Sequence, residues 1–264
     1  MALASNARVA GSTIRYFDSD GIALAFVDVG AGDPVLLIHG FGTNAQLSWL
    51  ESGWAERLVA ERRRLIALDN RGHGESQKLY EPRSYTMASI SEDARRLLDH
   101  LDIERADVLG YSMGARVAAL LAVNHPSRLR SLVLGGMGMN LFSGLPPAVD
   151  VAKDLDAESL DLAESERGRM FRAFVERTKG DRKALAACMR CAREPVDVEA
   201  LRRLTIPLLV AIGDRDTVVG SPLAETAAQL PRAQTFSIPG RSHMGAAIDP
   251  AFIERVAQFL ASRP

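Results

Sequence analysis

The sequence predicts an α/β protein on a mostly parallel central sheet of about eight strands flanked by helices, and three observations carry that expectation. Short runs rich in leucine and β-branched residues alternate with longer stretches of helical periodicity. Several of the short runs are apolar at every position, as in strands covered on both faces. The intervening stretches are long enough to act as right-handed crossovers between parallel neighbours.

In chain order, 13–18 and 22–29 flank the turn pair Asp20-Gly21 and read as a hairpin. Six further strands follow at 35–38, 64–68, 106–109, 131–134, 208–212 and 235–238. The stretch 89–101 sets Ile90, Ala94, Leu97, Leu98 and Leu101 on one helical stripe. Residues 113–124 are almost all small and apolar, which predicts a helix buried against the sheet, and His125-Pro126 stops it. Phe252, Val256, Phe259 and Leu260 mark a final amphipathic helix.

One segment breaks the alternation. After Pro146-Pro147 come charged helical stretches without a convincing strand, with Met170, Phe171, Phe174 and Val175 on one stripe and Leu185, Cys188, Met189 and Ala192 on another. The expected organisation is therefore a core of residues 1–140 and 204–264 with a helical cap, 141–203, inserted into it.

Composition removes whole classes of function. With 32 basic against 33 acidic residues the formal net charge is −1, which argues against nucleic acid and anionic membranes as general partners. Arginine supplies all but four of the basic residues, but these are scattered among Asp and Glu and form no stripe. The longest apolar runs fall far short of the roughly 18 residues of a membrane span. Residues 1–11 contain no apolar signal core, and a lone C-x-x-C at Cys188 and Cys191 is a weak redox or metal signal. Cys188 fits its apolar stripe better as a small core residue. The expectation is a reduced, cytoplasmic protein acting on a small molecule, with no metal and no cofactor. Its oligomeric state is not legible, and its near-neutral charge suits an uncharged acyl substrate in an apolar pocket.

The sharpest local signal is Gly110-Tyr111-Ser112-Met113-Gly114, which follows a strand and opens a helix. A serine lifted out on such a turn needs neighbours without Cβ two residues to either side, and the amide of Met113 then lies at a helix N-terminus that favours an oxyanion. After the strand 35–38, His39-Gly40-Phe41-Gly42 brings backbone close to a ligand and offers the amide of Phe41 as a second oxyanion donor, with His39 bonding loop backbone behind the site. A serine nucleophile needs a base, and the base an orienting carboxylate. Of five histidines only His243 follows the last strand in a loop. The loop after the strand 131–134, Gly135-Gly136-Met137-Gly138-Met139-Asn140, holds no carboxylate, whereas Gly213-Asp214-Arg215-Asp216 holds two. Asp216 is preferred because the extra residues carry it toward the histidine, leaving Asp214 to the turn. Gly40, Tyr111, Met137, Met139 and Phe142 are the candidate substrate-binding residues. Trp49 and Trp54 are expected to pack on the core.

Along essentially its whole length the chain resembles serine-dependent enzymes of the α/β-hydrolase fold with a small helical cap. The resemblance rests on residues 39–42, the loop 69–76, the pentapeptide 110–114, residues 213–216 and His243. Ser112 sets it apart from dehalogenases and epoxide hydrolases of this fold, which use an aspartate nucleophile. It is most similar to small-cap esterases and enol-lactonases, which implies cleavage of a small carboxylic ester or lactone through an acyl-enzyme. Hydrolysis of a carbon–carbon bond in a diketone by the same triad, or a slow-turnover small-molecule receptor of the same fold, are the alternatives. The resemblance makes the loop 69–76 structural, as its Asp, Arg and Gly residues already suggest.

Overall fold

A computed structural model describes residues 13–262. The signal-peptide expectation for 1–11, and the outermost residues of the expected core, lie outside the described residues. All eight expected strands form: β1 (Ile14–Asp18), β2 (Ala23–Val29), β3 (Asp33–Ile38), β4 (Arg63–Leu68), β5 (Ala106–Tyr111), β6 (Leu129–Gly135), β7 (Leu208–Gly213) and β8 (Gln234–Ile238). They make one sheet in the order β1-β2-β4-β3-β5-β6-β7-β8. The opening hairpin β1–β2 and the β2–β4 pair are antiparallel, and every later pair is parallel.

The helices of the core are α1 (Trp54–Ala60), α2 (Met87–His100) and α3 (Met113–Asn124). Between β6 and β7 run α4 (Asn140–Ser143), α5 (Val149–Asp156), α6 (Glu166–Arg177), α7 (Arg182–Arg190) and α8 (Val198–Arg203). The chain then forms α9 (Leu223–Gln229), α10 (His243–Ala246) and α11 (Pro250–Ala261). Among the described residues no helix is long and apolar enough to cross a membrane.

Strand alternation divides the interior in two. Leu36 and Ile38 of β3 face α2 and α3, while Val35 and Leu37 face α1 and α11. All six residues of β5 are buried, which is why its sequence shows no polar/apolar alternation; the one charge in it, Asp107, accepts from Ser131 Oγ at 2.7 Å. Each fully buried Leu or Val contributes about 1.5–3 kcal/mol by leaving water. The helix ends follow local chemistry. Thr86 caps α2 by accepting from the Ser89 amide, and Asp249 caps α11, whose first residue is Pro250.

Two details of the insertion depart from the expected stripes. On α6 the buried side is Phe171, Arg172 and Val175, whereas Met170 is exposed and Phe174 half-buried. Arg172 explains the shift, since its Nη1 donates to the carbonyls of Asp154 (2.9 Å), Leu155 (3.2 Å) and Ala157 (2.8 Å) and fixes the helix by that face. Ala192 is exposed because α7 ends at Arg190. Within residues 141–203 an isolated antiparallel bridge joins Leu145 and Arg193, with Leu145 N to Arg193 O at 2.7 Å and Arg193 N to Leu145 O at 2.8 Å.

A buried ion pair ties the loop after β4 to α2. Asp93, fully buried, accepts from Arg71 Nε and Nη2 at 2.7 Å each and from Ser19 Oγ at 2.6 Å. Removing one partner leaves a buried guanidinium uncompensated. Asp93→Ala is therefore expected to lower the unfolding free energy by about 3–5 kcal/mol in urea titrations, and a loss below about 1 kcal/mol would contradict this account of the pair.

Candidate active site

The chain leaves β5 at Tyr111 and enters α3 at Met113, and Ser112 between them has φ 54° and ψ −117°. The flanking glycines are required by contact. A Cβ on Gly110 would lie 2.1 Å from the Gly114 carbonyl oxygen, and one on Gly114 would lie 2.0 Å from that of Ile38. The backbones of β5, α3 and β3 thus meet with no room for a methyl group.

From the far end of the sheet, the loops after β7 and β8 bring two more groups to this turn. His243 Nε2 lies 2.9 Å from Ser112 Oγ, and His243 Nδ1 lies 2.7 Å from Asp216 Oδ2. The other oxygen of Asp216 accepts from the amides of Val218 and Val219 at 2.9 and 3.2 Å, which fixes the carboxylate. Asp214 is exposed, and its amide bonds the Ile238 carbonyl at the strand end. Of the two candidate acids, the geometry joins Asp216 to the histidine.

Tyr111, read from sequence as substrate-binding, also has an anchoring contact. Its hydroxyl donates to the His243 carbonyl at 2.6 Å, and its ring stands 5.4 Å from the imidazole. Gly135 and Gly136 make room for that ring, since a Cβ on either would lie 2.7 or 2.6 Å from it. The glycine-rich loop without a carboxylate therefore receives Tyr111.

The loop after β3 lies against the same turn, with a Cβ position on Gly40 3.3 Å from that of Ser112. The amide of Phe41 follows, and the amide of Met113 begins α3, where helix geometry supplies no intrahelical partner. Behind them His39 is fully buried. Its Nε2 accepts from the Asn70 amide at 3.1 Å, so Nδ1 carries the proton and donates to the Gly40 carbonyl at 2.7 Å. Burial lowers its pKa. Asp69 holds the loop 69–76 in place by accepting from the amides of Ala45 (2.7 Å) and Glu75 (2.8 Å). His125 bonds Glu92, and His100 packs on Phe17 and Phe26, so neither is at the site.

Ser112 and His243 open into a cavity of about 1400 Å³ beneath the α5–α6 part of the insertion. Gly40, Phe41, Tyr111, Met113 and Met137 line it. Met139 and Phe142 do not, which corrects the sequence expectation: the Met139 amide bonds Ser221 Oγ at 2.9 Å, and the one-turn helix α4 packs Phe142 against the core. Trp54 packs as expected, its Nε1 donating to the Ala247 carbonyl, whereas Trp49 is buried and also lines the cavity. Missed from sequence were Met170 and Phe174, and two buried arginines, Arg116 and Arg193. Arg116 was visible in principle as the one charge in an otherwise apolar helix. Cys188 is buried and its thiol is pushed up to about 11 by burial, as suits a core residue.

The eight-stranded sheet thus carries a serine on a strand-to-helix turn with a histidine and an aspartate in hydrogen-bond line behind it. The profile of the alpha/beta hydrolase fold matches residues 33–187, and the chain belongs to that family. It is 30% identical over 261 residues to the dihydrolipoyllysine-residue acetyltransferase component of the acetoin cleaving system of Pseudomonas putida, covering 90% of this chain but 64% of the relative's length. It is 40% identical over 127 residues to a 2-hydroxymuconate semialdehyde hydrolase of a Pseudomonas species, covering 46% of this chain and 42% of that one. The crystal structure of a hydrolase from Pseudomonas aeruginosa superimposes with a TM-score of 0.72 at 28% identity, covering 96% of this chain and all of the other. Hydrolase activity is what the family and the two neighbours named as hydrolases support.

Burial of the supporting histidines gives stability a pH dependence. Desolvation, reinforced by the nearby His39, pushes the His73 pKa down to about 3 from 6.5. Below pH 6.5 the unfolded chain takes up a proton that folded His73 refuses until about pH 3, so stability falls as pH drops through that window. Urea titrations are expected to show about 2 kcal/mol less stability at pH 5 than at pH 7.5 from this group. His73→Gln is expected to lose less over the same interval, and an equal loss in both proteins would contradict the assignment.

Proposed function

We propose that the protein is a serine hydrolase that cleaves a small carboxylic ester or lactone through an acyl-enzyme. The observation that carries this reading is the unbroken line Asp216 Oδ2, His243 Nδ1, His243 Nε2, Ser112 Oγ, with gaps of 2.7 and 2.9 Å. In this reading Asp216 keeps the imidazole proton on Nδ1, so Nε2 is free to accept the serine proton as Oγ attacks the carbonyl carbon. The tetrahedral oxyanion points at the amides of Phe41 and Met113, each contributing about 3 kcal/mol in comparable sites. His243 returns the proton to the leaving alcohol oxygen, and the acyl group stays on Ser112. Water then enters, gives its proton to the same nitrogen and releases the acid. The steps use side chains, backbone amides and water alone.

The segment 141–203 acts in this reading as a cap. Its Met170, Phe171 and Phe174 form an apolar wall over the serine, suited to the carbon skeleton of an acyl or alcohol group. A second reading, hydrolysis of a carbon–carbon bond in a diketone by the same three side chains, is kept by the similarity to a hydrolase named for a semialdehyde rather than an ester.

Hydrolysis of short p-nitrophenyl esters tests the assignment. Ser112→Ala is expected to lose at least about 10³-fold in kcat. Asp216→Asn is expected to lose on the order of 10³-fold or more by presenting the wrong imidazole tautomer, while Asp214→Asn stays close to wild type. Equal rates for wild type and Ser112→Ala, or a larger loss from Asp214→Asn than from Asp216→Asn, would sink the reading.

A further inference from the structure

Two arginines form part of the cavity wall a turn beyond Ser112, and neither has a carboxylate partner among the described residues. Arg116 on α3 is 1% exposed and Arg193, three residues past the end of α7, is 8% exposed. They are close neighbours: Arg116 Nη1 donates to the carbonyl of Glu194, the residue after Arg193, at 2.7 Å. Arg116 also donates from Nη1 to the Leu141 carbonyl at 3.2 Å and from Nη2 to the Asn140 carbonyl at 2.5 Å. Arg193 donates from Nη1 to the carbonyls of Cys191 (2.7 Å) and Met189 (3.3 Å), and its Nη2 lies 3.4 Å from the Met189 sulfur.

Two adjacent buried cations cost free energy unless a counter-charge meets them, and backbone carbonyls offer only partial charge. Burial and repulsion from Arg193 lower the Arg116 pKa to about 10, so Arg116 stays charged near neutrality. The acids that line the same cavity, Asp150 and Glu166, are exposed, and neither is paired with Arg116 or Arg193. Counting donors, each guanidinium keeps its Nε–H and one Nη2–H uncommitted among the described residues. That side-on edge is the one by which Arg71 holds Asp93 in this protein, Nε to one oxygen and Nη2 to the other. It matches the two oxygens of a carboxylate.

We propose that Arg116 and Arg193 form an anion subsite, and that the substrate is an ester or lactone whose acyl portion carries a free carboxylate. This rests on the serine-hydrolase reading for the reaction but not for the binding. It also replaces the uncharged acyl group suggested by the overall charge, because the net charge averages away a local pair of cations.

The test compares p-nitrophenyl hydrogen glutarate with p-nitrophenyl pentanoate, which has the same chain length without the charge. In wild type the charged ester is expected to be favoured in kcat/KM by about tenfold or more, and Arg193→Gln is expected to erase that ratio. Arg193→Lys keeps a buried charge but not the planar fork, guards against a folding artefact, and is expected to fall between them. Calorimetric titration with glutarate reads the subsite without turnover, and the affinity is expected to fall at least about tenfold in Arg193→Gln. Should neither ester turn over through Ser112, the reaction reading fails while glutarate binding still supports the subsite. Equal kcat/KM for the two esters, together with equal glutarate affinity in wild type and Arg193→Gln, would overturn the subsite and leave the hydrolase reading standing.

Discussion

Ser112 occupies a backbone conformation, φ 54° and ψ −117°, that an L residue enters only under constraint, at a cost of about 1–3 kcal/mol. The sheet imposes it. The Ser112 amide is held by the Gly135 carbonyl of β6 at 2.8 Å, and the first turn of α3 presses through Gly114 on the end of β3. Because β3, β5 and β6 are adjacent and parallel, their C-terminal ends converge on this one turn. The strain lifts the hydroxyl clear of the strand and aims the amides at the start of α3 toward the same space. Everything else at the site is placed relative to that turn: Gly40 beside it, and His243 within hydrogen-bond reach.

The histidine is a case of long-range assembly. Its loop is short and follows an edge strand, so it needs external anchors. Two come from far along the chain: the Tyr111 hydroxyl on the His243 carbonyl, and the Asp216 carboxylate on Nδ1. Tyr111 is itself the residue before the serine, so the Ser112 turn and the His243 loop are linked through one side chain. In turn, the glycines that admit the Tyr111 ring belong to β6 and the loop after it.

Strands and the serine turn were legible in the sequence because each leaves a local mark. A strand covered on both faces is mostly apolar without alternation, and the turn must have Gly110 and Gly114 where a Cβ would strike backbone. The preference for Asp216 over Asp214 rests on reach, since two further residues carry it past the strand end toward the histidine. Tyr111's second contact was not legible, since it depends on a partner 132 residues away. Nor was the division of labour on α6, where one apolar stripe serves two surfaces: Val175 packs inward, Met170 and Phe174 are left to the cavity, and Phe171 borders both. Met139 and Phe142 were assigned to the cavity because their loop leads toward it, and a one-turn helix redirects them. Net charge was uninformative for a similar reason, since Arg116 and Arg193 are a local excess inside a balanced chain.

The central claim is that the hydroxyl of Ser112 becomes acylated. Acid quenching during turnover of a p-nitrophenyl ester, followed by peptide mass spectrometry, reads this directly. The account predicts the mass of the acyl group on the peptide containing Ser112 in wild type, and no such adduct in Ser112→Ala. Turnover with an unmodified Ser112 peptide, or the acyl group on another residue, would contradict it.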